Sequence, residues 1–310
     1  MRGVILAAAM ALGLAACAGP DIPYASLNAK YANPQSKWLD LPDGLKVHYR
    51  DEGRRDGRAI VLVHGFSASL HAWEPWVQRL APDYRVITLD LPGHGLTQAP
   101  KGYRVGPDTQ VKVVDHVTAR LGADRFVIGG NSMGGGVSWR YALAYPEKVE
   151  ALVLVNAAGW PSERSGDGPP LVFRLLGNPV GRAIIKSLDT RPMAEGGLKS
   201  AYYDPKIVTP DLIDRYVDFS RAPGHKDILL TQQQGGRTPV TPATFAAIKA
   251  PTLIIHGEQD SVIPAASSRG LAGAIPGAKL IIYDGVGHVP MEQIPERSWQ
   301  DLNAFLKTLP

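Results

Sequence analysis

The sequence predicts an α/β domain built on a mostly parallel, doubly wound sheet. Short apolar runs, typical of strands buried on both faces, recur along the chain, and the segments between them are long enough for crossover helices. A Gly-Asn-Ser-Met-Gly stretch at residues 130–134 also stands between one such run and a helical segment. Of the 310 residues, 45% are hydrophobic and 20% are charged, as in an ordinary globular protein.

Seven runs are predicted to be strands. The first, residues 44–50, alternates apolar and polar positions like a half-exposed strand. The other six are short apolar runs, at residues 59–63, 85–89, 126–129, 151–155, 252–255 and 279–283. A helix is predicted over residues 133–145, directly after the fourth run.

The alternation of strands and helices breaks between residues 157 and 250. A loop rich in Gly, Pro and Ser comes first, and helical stretches follow at residues 171–188 and 211–220 without a strand run. We therefore predict a helical cap at 157–250 over one end of a core formed by residues 37–156 and 251–310. The joining segment, residues 160–170, is expected to be mobile and to border the pocket entrance.

The first 36 residues are predicted to lie outside the fold. Residues 1–16 combine a short positive region with a short apolar core, and Leu14-Ala15-Ala16-Cys17 resembles the lipobox of bacterial lipoproteins. The expected product begins at Cys17, carries lipid there, and continues through a Pro-containing tether at residues 17–36. This predicts an exported protein anchored on the periplasmic face of a bacterial membrane, with inner or outer membrane left open. The alternative is an ordinary secretory signal.

Composition excludes several other classes of protein. The formal net charge is only +4 and the basic residues are scattered, so nucleic acid is not an expected partner. The single cysteine excludes an intrachain disulfide and a cysteine-based zinc site, and no HExxH-like spacing occurs. We expect no metal and no cofactor, and the sequence leaves the oligomeric state open.

Ser132 is the strongest candidate for a catalytic residue. It follows a predicted buried strand and opens a predicted helix, so a sharp turn would project its hydroxyl from the carboxyl end of the sheet. The flanking glycines permit the strained backbone, and the start of the helix favours a developing negative charge.

A serine nucleophile needs a base and an orienting acid, and the later sequence offers both. Asp260 follows the predicted strand at 252–255, and His288 follows the one at 279–283. All three side chains are therefore expected at the same edge of the sheet. Glu258 and Asp284 are nearby alternative acids that rank below Asp260.

Two backbone amides are candidates for an oxyanion hole. Phe66 comes after a His-Gly pair that directly follows the strand at 59–63, and Met133 comes after the candidate nucleophile. Both N–H groups are expected to point at the oxygen that becomes negative in the reaction.

Five motifs together resemble the α/β-hydrolase fold family over residues 38–308. They are HGF (64–66), DLPGHGLT (90–97), GNSMGG (130–135), GEQD (257–260) and GVGH (285–288). The resemblance implies eight strands, a helical cap after the sixth, and a substrate pocket between cap and sheet. It makes DLPGHGLT a structural turn, and no chemistry is assigned to His94.

The residue at the nucleophile position favours acyl chemistry. An Asp there would suggest a haloalkane dehalogenase or epoxide hydrolase, whereas Ser132 favours a carboxylesterase acting on small to medium esters through an acyl-enzyme. GNSMGG also resembles the motif of C–C bond hydrolases of the meta-cleavage-product type, the second interpretation. The sequence departs from that group at FSASLHAW (66–73) and at Val289. A non-catalytic, ligand-binding lipoprotein is the third.

Overall fold

The computed structural model describes residues 19–161, 178–231 and 240–310, and its centre is one eight-stranded sheet. The strand order is β1-β2-β4-β3-β5-β6-β7-β8. The strands are β1 (Lys37–Asp40), β2 (Lys46–Gly53), β3 (Ala59–Val63), β4 (Arg85–Leu89), β5 (Phe126–Asn131), β6 (Val149–Val155), β7 (Thr252–Gly257) and β8 (Lys279–Tyr283). β2 pairs antiparallel with β1 and β4, and all other pairs are parallel. The doubly wound, mostly parallel sheet is as the sequence predicts.

Helices pack on both faces of the sheet, and further helices lie before β1 and between β6 and β7. They are α1 (Tyr24–Tyr31), α2 (Glu74–Leu80), α3 (Pro107–Arg120), α4 (Met133–Ala144), α5 (Pro179–Ser187), α6 (Thr190–Ala201), α7 (Pro210–Ser220), α8 (His225–Thr231), α9 (Pro242–Ala246), α10 (Ala265–Ala274), α11 (Pro290–Gln293) and α12 (Pro295–Leu306). Successive β3 side chains enter opposite cores: Val61 lies in one cluster and Leu62 in the other. Burial on both faces explains the continuous apolar runs.

Strand β1 is the one strand that the residue patterns do not predict. It is four residues long, lies at the sheet edge, and leaves both terminal side chains exposed. An edge strand of this kind needs no apolar run, so its sequence carries little signal. With β1, the count reaches the eight strands that the family resemblance implies.

Between β6 and β7 the described residues form helices α5 to α9 and no strand. Helix α7 matches the helical stretch predicted at 211–220, and α5 covers the described part of the one predicted at 171–188. Most of the segment expected to be mobile, residues 162–170, lies outside the described residues. Trp160, the first residue of the predicted segment 160–170, is half-buried and packs against the core, with its ring centroid 5.7 Å from that of Phe245.

The described part of residues 17–36 is not the loose tether that the sequence predicts. Helix α1 packs on the domain with Leu27 only 1% exposed, and the Tyr24 hydroxyl donates to the Thr97 carbonyl at 3.1 Å. The apolar positions of this short helix are few, so its composition resembles a linker although it docks. Cys17 and the predicted signal peptide lie outside the described residues. Within the described ranges, no helix is long and apolar enough to cross a membrane.

Replacing Leu27 tests whether α1 is docked in solution. Leu27→Ala removes a fully buried side chain and should lower the free energy of unfolding by about 2–5 kcal/mol. Ser26→Ala, on the exposed side of the same helix, should change it by less than about 0.5 kcal/mol. Denaturant unfolding of both variants measures the difference, and equal stabilities would restore the tether interpretation.

Candidate active site

Ser132 lies on a sharp turn between β5 and α4. Its backbone has φ 53° and ψ −117°, a conformation that costs a non-glycine residue about 1–3 kcal/mol. Three hydrogen bonds hold it: the Ser132 N–H donates to Val155 O at 3.0 Å, and Ser132 O accepts from Ala158 at 2.9 Å and Gly136 at 3.1 Å. The half-buried Ser132 side chain therefore stands at the carboxyl edge of the sheet, at the start of α4.

Two glycines let other segments approach this turn closely. A Cβ on Gly134 would lie 2.0 Å from Val63 O, so only a glycine allows the first turn of α4 to sit on the end of β3. A Cβ on Gly65 would lie 2.9 Å from Asn131 Oδ1 and 3.3 Å from Ser132 Cβ. The backbone of the loop after β3 therefore lies in close contact with the Ser132 side chain.

Asp260 and His288 form a buried pair in the loops that follow β7 and β8. His288 Nδ1 lies 2.7 Å from Asp260 Oδ2. The other carboxylate oxygen accepts the N–H groups of Val262 at 2.7 Å and Ile263 at 3.0 Å. A carboxylate held in this way fixes the imidazole with Nδ1 protonated, which leaves Nε2 with a lone pair.

The pKa of the Asp260 carboxyl lies below its ordinary value. Burial acts to raise it, but the hydrogen bonds from His288 and Asn156 outweigh that effect, so the group is ionised in the neutral range. The alternative acids have other partners: Glu258 pairs with Arg269 at 2.7 Å, and Asp284 accepts from Gln259 at 2.8 Å. The geometry therefore selects Asp260 as the partner of His288.

Asn131 connects the serine turn to the histidine loop. Its side-chain amide donates to His288 O at 2.9 Å and to Val155 O at 3.2 Å. This bond brings Ser132 and the His288 loop together at the sheet edge. No hydrogen bond between the Ser132 hydroxyl and His288 occurs among the described residues.

The two oxyanion-hole candidates also lie at this edge. Met133 begins α4, where the first N–H groups of a helix point out of its end. Among the described residues, no acceptor takes the Phe66 N–H, and the Phe66 side chain is 41% exposed rather than packed in the core. His64 fixes this loop because its Nε2 accepts the Leu91 N–H at 3.0 Å and its Nδ1 lies 2.7 Å from Gly65 O.

The cap packs directly on the histidine loop. The last residue of α6, Ala201, accepts the His288 N–H at 2.7 Å. Nearby, a cavity of about 430 Å³ is lined by residues of α1, α7 and α11, among them Arg215 and Glu292. Arg215 Nε is buried without a hydrogen-bond partner among the described residues, and its guanidinium lies 3.5 Å from Glu292.

Comparison with known proteins identifies the family. A family model described as the alpha/beta hydrolase fold matches residues 58–175, and a serine hydrolase model matches residues 228–297. The 2-hydroxy-6-oxo-2,4-heptadienoate hydrolase of Pseudomonas putida is 30% identical over 263 residues, which cover 82% of this chain and 90% of the relative. The chain belongs to the α/β-hydrolase family.

Other relatives of this hydrolase fall into two groups. Lipase 1 of Psychrobacter immobilis is 28% identical over 88% of this chain and 84% of the lipase. A crystal structure of a membrane phospholipase A, described as a bacterial virulence factor, is 25% identical with a TM-score of 0.77, covering 99% of this chain and 97% of the other. The meta-cleavage product hydrolase from Pseudomonas fluorescens has a TM-score of 0.76 at 25% identity, over 89% of this chain and 99% of that one.

Sequence reasoning missed two asparagines that position the candidate residues of the hydrolase. Asn156, at the end of β6, is fully buried with φ 46°, and its amide donates to Asp260 Oδ2 at 2.7 Å and Gly287 O at 3.3 Å. The sequence presents Asn131 only as part of the GNSMGG motif that contains Ser132. Each directly ends or follows an apolar run, and a polar residue at the carboxyl end of a buried parallel strand is the signal that could have found them.

Asn156→Ala tests the support of Asp260. A hydrogen bond to a charged group is worth about 1.5–3 kcal/mol, so kcat/KM should fall about ten- to a hundredfold. Asn303→Ala is the control: it removes the hydrogen-bond partner of the Tyr84 hydroxyl, which does not contact the candidate residues, and should leave kcat/KM unchanged. Steady-state kinetics of the folded variants measure both, and an unchanged kcat/KM for Asn156→Ala would exclude this role.

Proposed function

We propose that the hydrolase is a carboxylesterase in which Ser132 is the nucleophile, His288 the base and Asp260 the acid. His288 Nε2 takes the Ser132 proton as Oγ attacks the ester carbonyl carbon. The N–H groups of Phe66 and Met133 stabilise the oxyanion. His288 then protonates the leaving alcohol. In the second half-reaction it takes a proton from water, which attacks the acyl-enzyme and releases the acid.

One observation supports this proposal above the others. The strained Ser132 turn lies next to a buried Asp260–His288 pair. The side chain of Asn131, the residue before Ser132, donates a hydrogen bond to the His288 carbonyl and so links the two. Such strain persists where the surrounding structure holds it, and it is typical of functional sites. Asp260 keeps His288 in the tautomer with a free Nε2 lone pair, which a base for serine requires.

Two relatives favour esters as substrates. One is a lipase and one a phospholipase by name, and both classes cleave carboxylic esters. The exposed Phe66 ring also provides an apolar surface for an acyl or alkyl group, next to a backbone N–H that no acceptor takes within the described ranges. We therefore place small to medium esters first.

C–C bond hydrolysis is the second candidate function. The Pseudomonas putida relative is named for a dienoate, which carries a carboxylate. Among the residues that the structure describes, Arg215 Nε has no partner in the cavity near the His288 loop, and such a buried donor could bind a carboxylate. The Glu292 carboxylate lies 3.5 Å from Arg215 and already offsets its charge. Arg215 is therefore weak support for C–C bond hydrolysis, and ester hydrolysis stays the first candidate.

A substrate panel on wild type and Ser132→Ala tests the proposed function. Wild type should react with a fluorophosphonate probe and hydrolyse p-nitrophenyl esters faster than a vinylogous diketone, and folded Ser132→Ala should do neither. Circular dichroism controls for folding. A higher kcat/KM for the diketone would favour C–C hydrolysis, and an unlabelled wild type would favour a non-catalytic binding protein.

Asp260→Asn tests the acid. The variant no longer fixes the productive tautomer of His288, and kcat should fall about ten-thousandfold, as in a comparable triad. Glu258→Gln removes the neighbouring carboxylate, which pairs with Arg269 at the surface, and should keep nearly full kcat. If Glu258→Gln were the more damaging change, the assignment of the acid would be wrong.

We also propose that Cys17 carries a lipid anchor after export. The Leu-Ala-Ala-Cys sequence at residues 14–17 supports this, and the chain has no other cysteine. Several acyl chains on one residue attach a protein firmly, since each buried methylene contributes about 0.8 kcal/mol.

Cys17→Ser tests the anchor. Wild-type protein should be in the membrane fraction with an acylated N-terminal Cys17, and Cys17→Ser should be released or kept as precursor. Cell fractionation, mass spectrometry of the N-terminus and an esterase assay of each fraction give the answer. A soluble wild type that begins at another residue would indicate plain secretion.

A further inference from the structure

Helix α1 joins the core of the hydrolase to its cap. Leu27 packs in a small cluster with Leu96 of the core and Phe219 and Ala222 at the end of α7. The Tyr24 hydroxyl lies 3.1 Å from Thr97 O in the core and 3.0 Å from His225 Nε2 in α8.

The carboxyl end of α1 repeats this bridge. Asp218 of α7 accepts from the Tyr31 hydroxyl and from Lys30 Nζ, both at 2.8 Å. On the core side, the Tyr31 carbonyl lies 3.0 Å from His71 Nε2. Burial lowers the pKa of His71 to about 4, so the ring is neutral. The Arg50 guanidinium of the core donates to the same Tyr31 carbonyl at 3.5 Å. Both ends of α1 are therefore attached to both parts of the protein.

Docking of the chain begins even before α1. The Ile22 N–H donates to Arg221 O at 2.8 Å, and the Arg221 guanidinium donates to Pro20 O at 2.8 Å and 3.1 Å. Three peptide units separate Pro20 from Cys17 and span at most about 11 Å. A flexible linker over residues 17–36 would instead separate its ends by about 25 Å and leave the domain free to turn.

The docked segment lies at the carboxyl edge of the sheet. Thr97 and His71 belong to the loops that follow β4 and β3, the same edge from which Ser132 projects. The end of α7, where Arg221 holds Pro20, belongs to the cap that packs on the His288 loop. A lipid on Cys17 would therefore be attached on the side of the cap and the candidate site.

We propose that docked α1 holds the cap side of the hydrolase, at the end of α7 and at α8, against the bilayer surface. This inference rests on the proposed lipid on Cys17. The partner is the lipid bilayer that carries the anchor, and the short free segment fixes the orientation of the domain. The carboxyl edge of the sheet then faces the membrane, so the substrates are esters held in or at the bilayer.

Fluorescence quenching by a nitroxide-bearing phospholipid tests the orientation in the full-length, lipid-anchored protein. Because Cys17 is the only native cysteine and its sulfur would carry the lipid, one introduced cysteine is the only free thiol. Asp227→Cys places the dye on the exposed side of α8, and Asp124→Cys places it just before β5, at the opposite edge of the sheet. In vesicles, the dye at 227 should lose more fluorescence than the dye at 124.

Three further variants separate docking from the length of the free segment. Leu27→Asp should undock α1 and equalise quenching at the two positions, whereas Ser26→Asp, on the exposed side, should leave the difference intact. A flexible Gly-Ser spacer of about 20 residues inserted after Ala18 should also equalise quenching while α1 stays docked. The spacer variant keeps the test valid if Leu27→Asp does not fold.

The outcomes distinguish this inference from the proposals on which it rests. Equal quenching at 227 and 124 in protein with acylated Cys17 would overturn the orientation and leave the anchor intact. A Cys17 without acyl mass would overturn the anchor and the orientation together. Neither result changes fluorophosphonate labelling of Ser132, which reports only on the proposed catalytic function.

Discussion

The contact between the first turn of α4 and the end of β3 is the constraint on which the site depends. The helix backbone lies so close to Val63 O that a side chain at Gly134 cannot fit. This contact brings the loop after β3, with Gly65 and Phe66, against the turn that carries Ser132. The strain at Ser132 persists because backbone hydrogen bonds from β6 and α4 hold it on both sides.

The second half of the site is held by polar side chains at the ends of neighbouring strands. Asn131 ends β5 and binds the His288 carbonyl, and Asn156 follows β6 and binds the Asp260 carboxylate. These amides span the gaps between loops that the parallel sheet brings to one edge. The NH2 group of each amide loses water on burial and recovers two hydrogen bonds to the protein, so a misplaced loop would leave a buried donor unpaired. The same bonds that position the candidate residues therefore also make the loop arrangement specific.

The cap is connected to the candidate catalytic residues by a backbone hydrogen bond as well as by the cavity that it helps to line. Ala201 at the end of α6 accepts the His288 N–H, and Tyr202 donates to Glu292 in the helix that follows the histidine. A shift of α6 would therefore move the His288 loop. Helix α1 adds a further link, because it contacts the cap and the core at both of its ends.

The parallel core and the candidate site residues can be predicted from the amino-acid sequence, whereas the hydrogen bonds and packing that hold those residues depend on the folded chain. Strands β3, β4 and β8 begin and end where their apolar runs do. For the interior strands β3 and β4 the reason is burial on both faces, whereas β8 lies at the sheet edge and is mostly half-buried. The glycines around Ser132 are legible for a similar local reason: a sharp turn and a close contact leave few residue types possible. Asn156 offers only its place after a buried strand and Leu27 offers no local signal, because each acquires its role from partners distant in the sequence, Asp260 for Asn156 and Leu96 and Phe219 for Leu27. The sequence ranks Asp260 above Glu258, but which of the two carboxylates pairs with His288 is decided by how the loop after β7 folds. That choice is made by long-range packing and not by any local pattern.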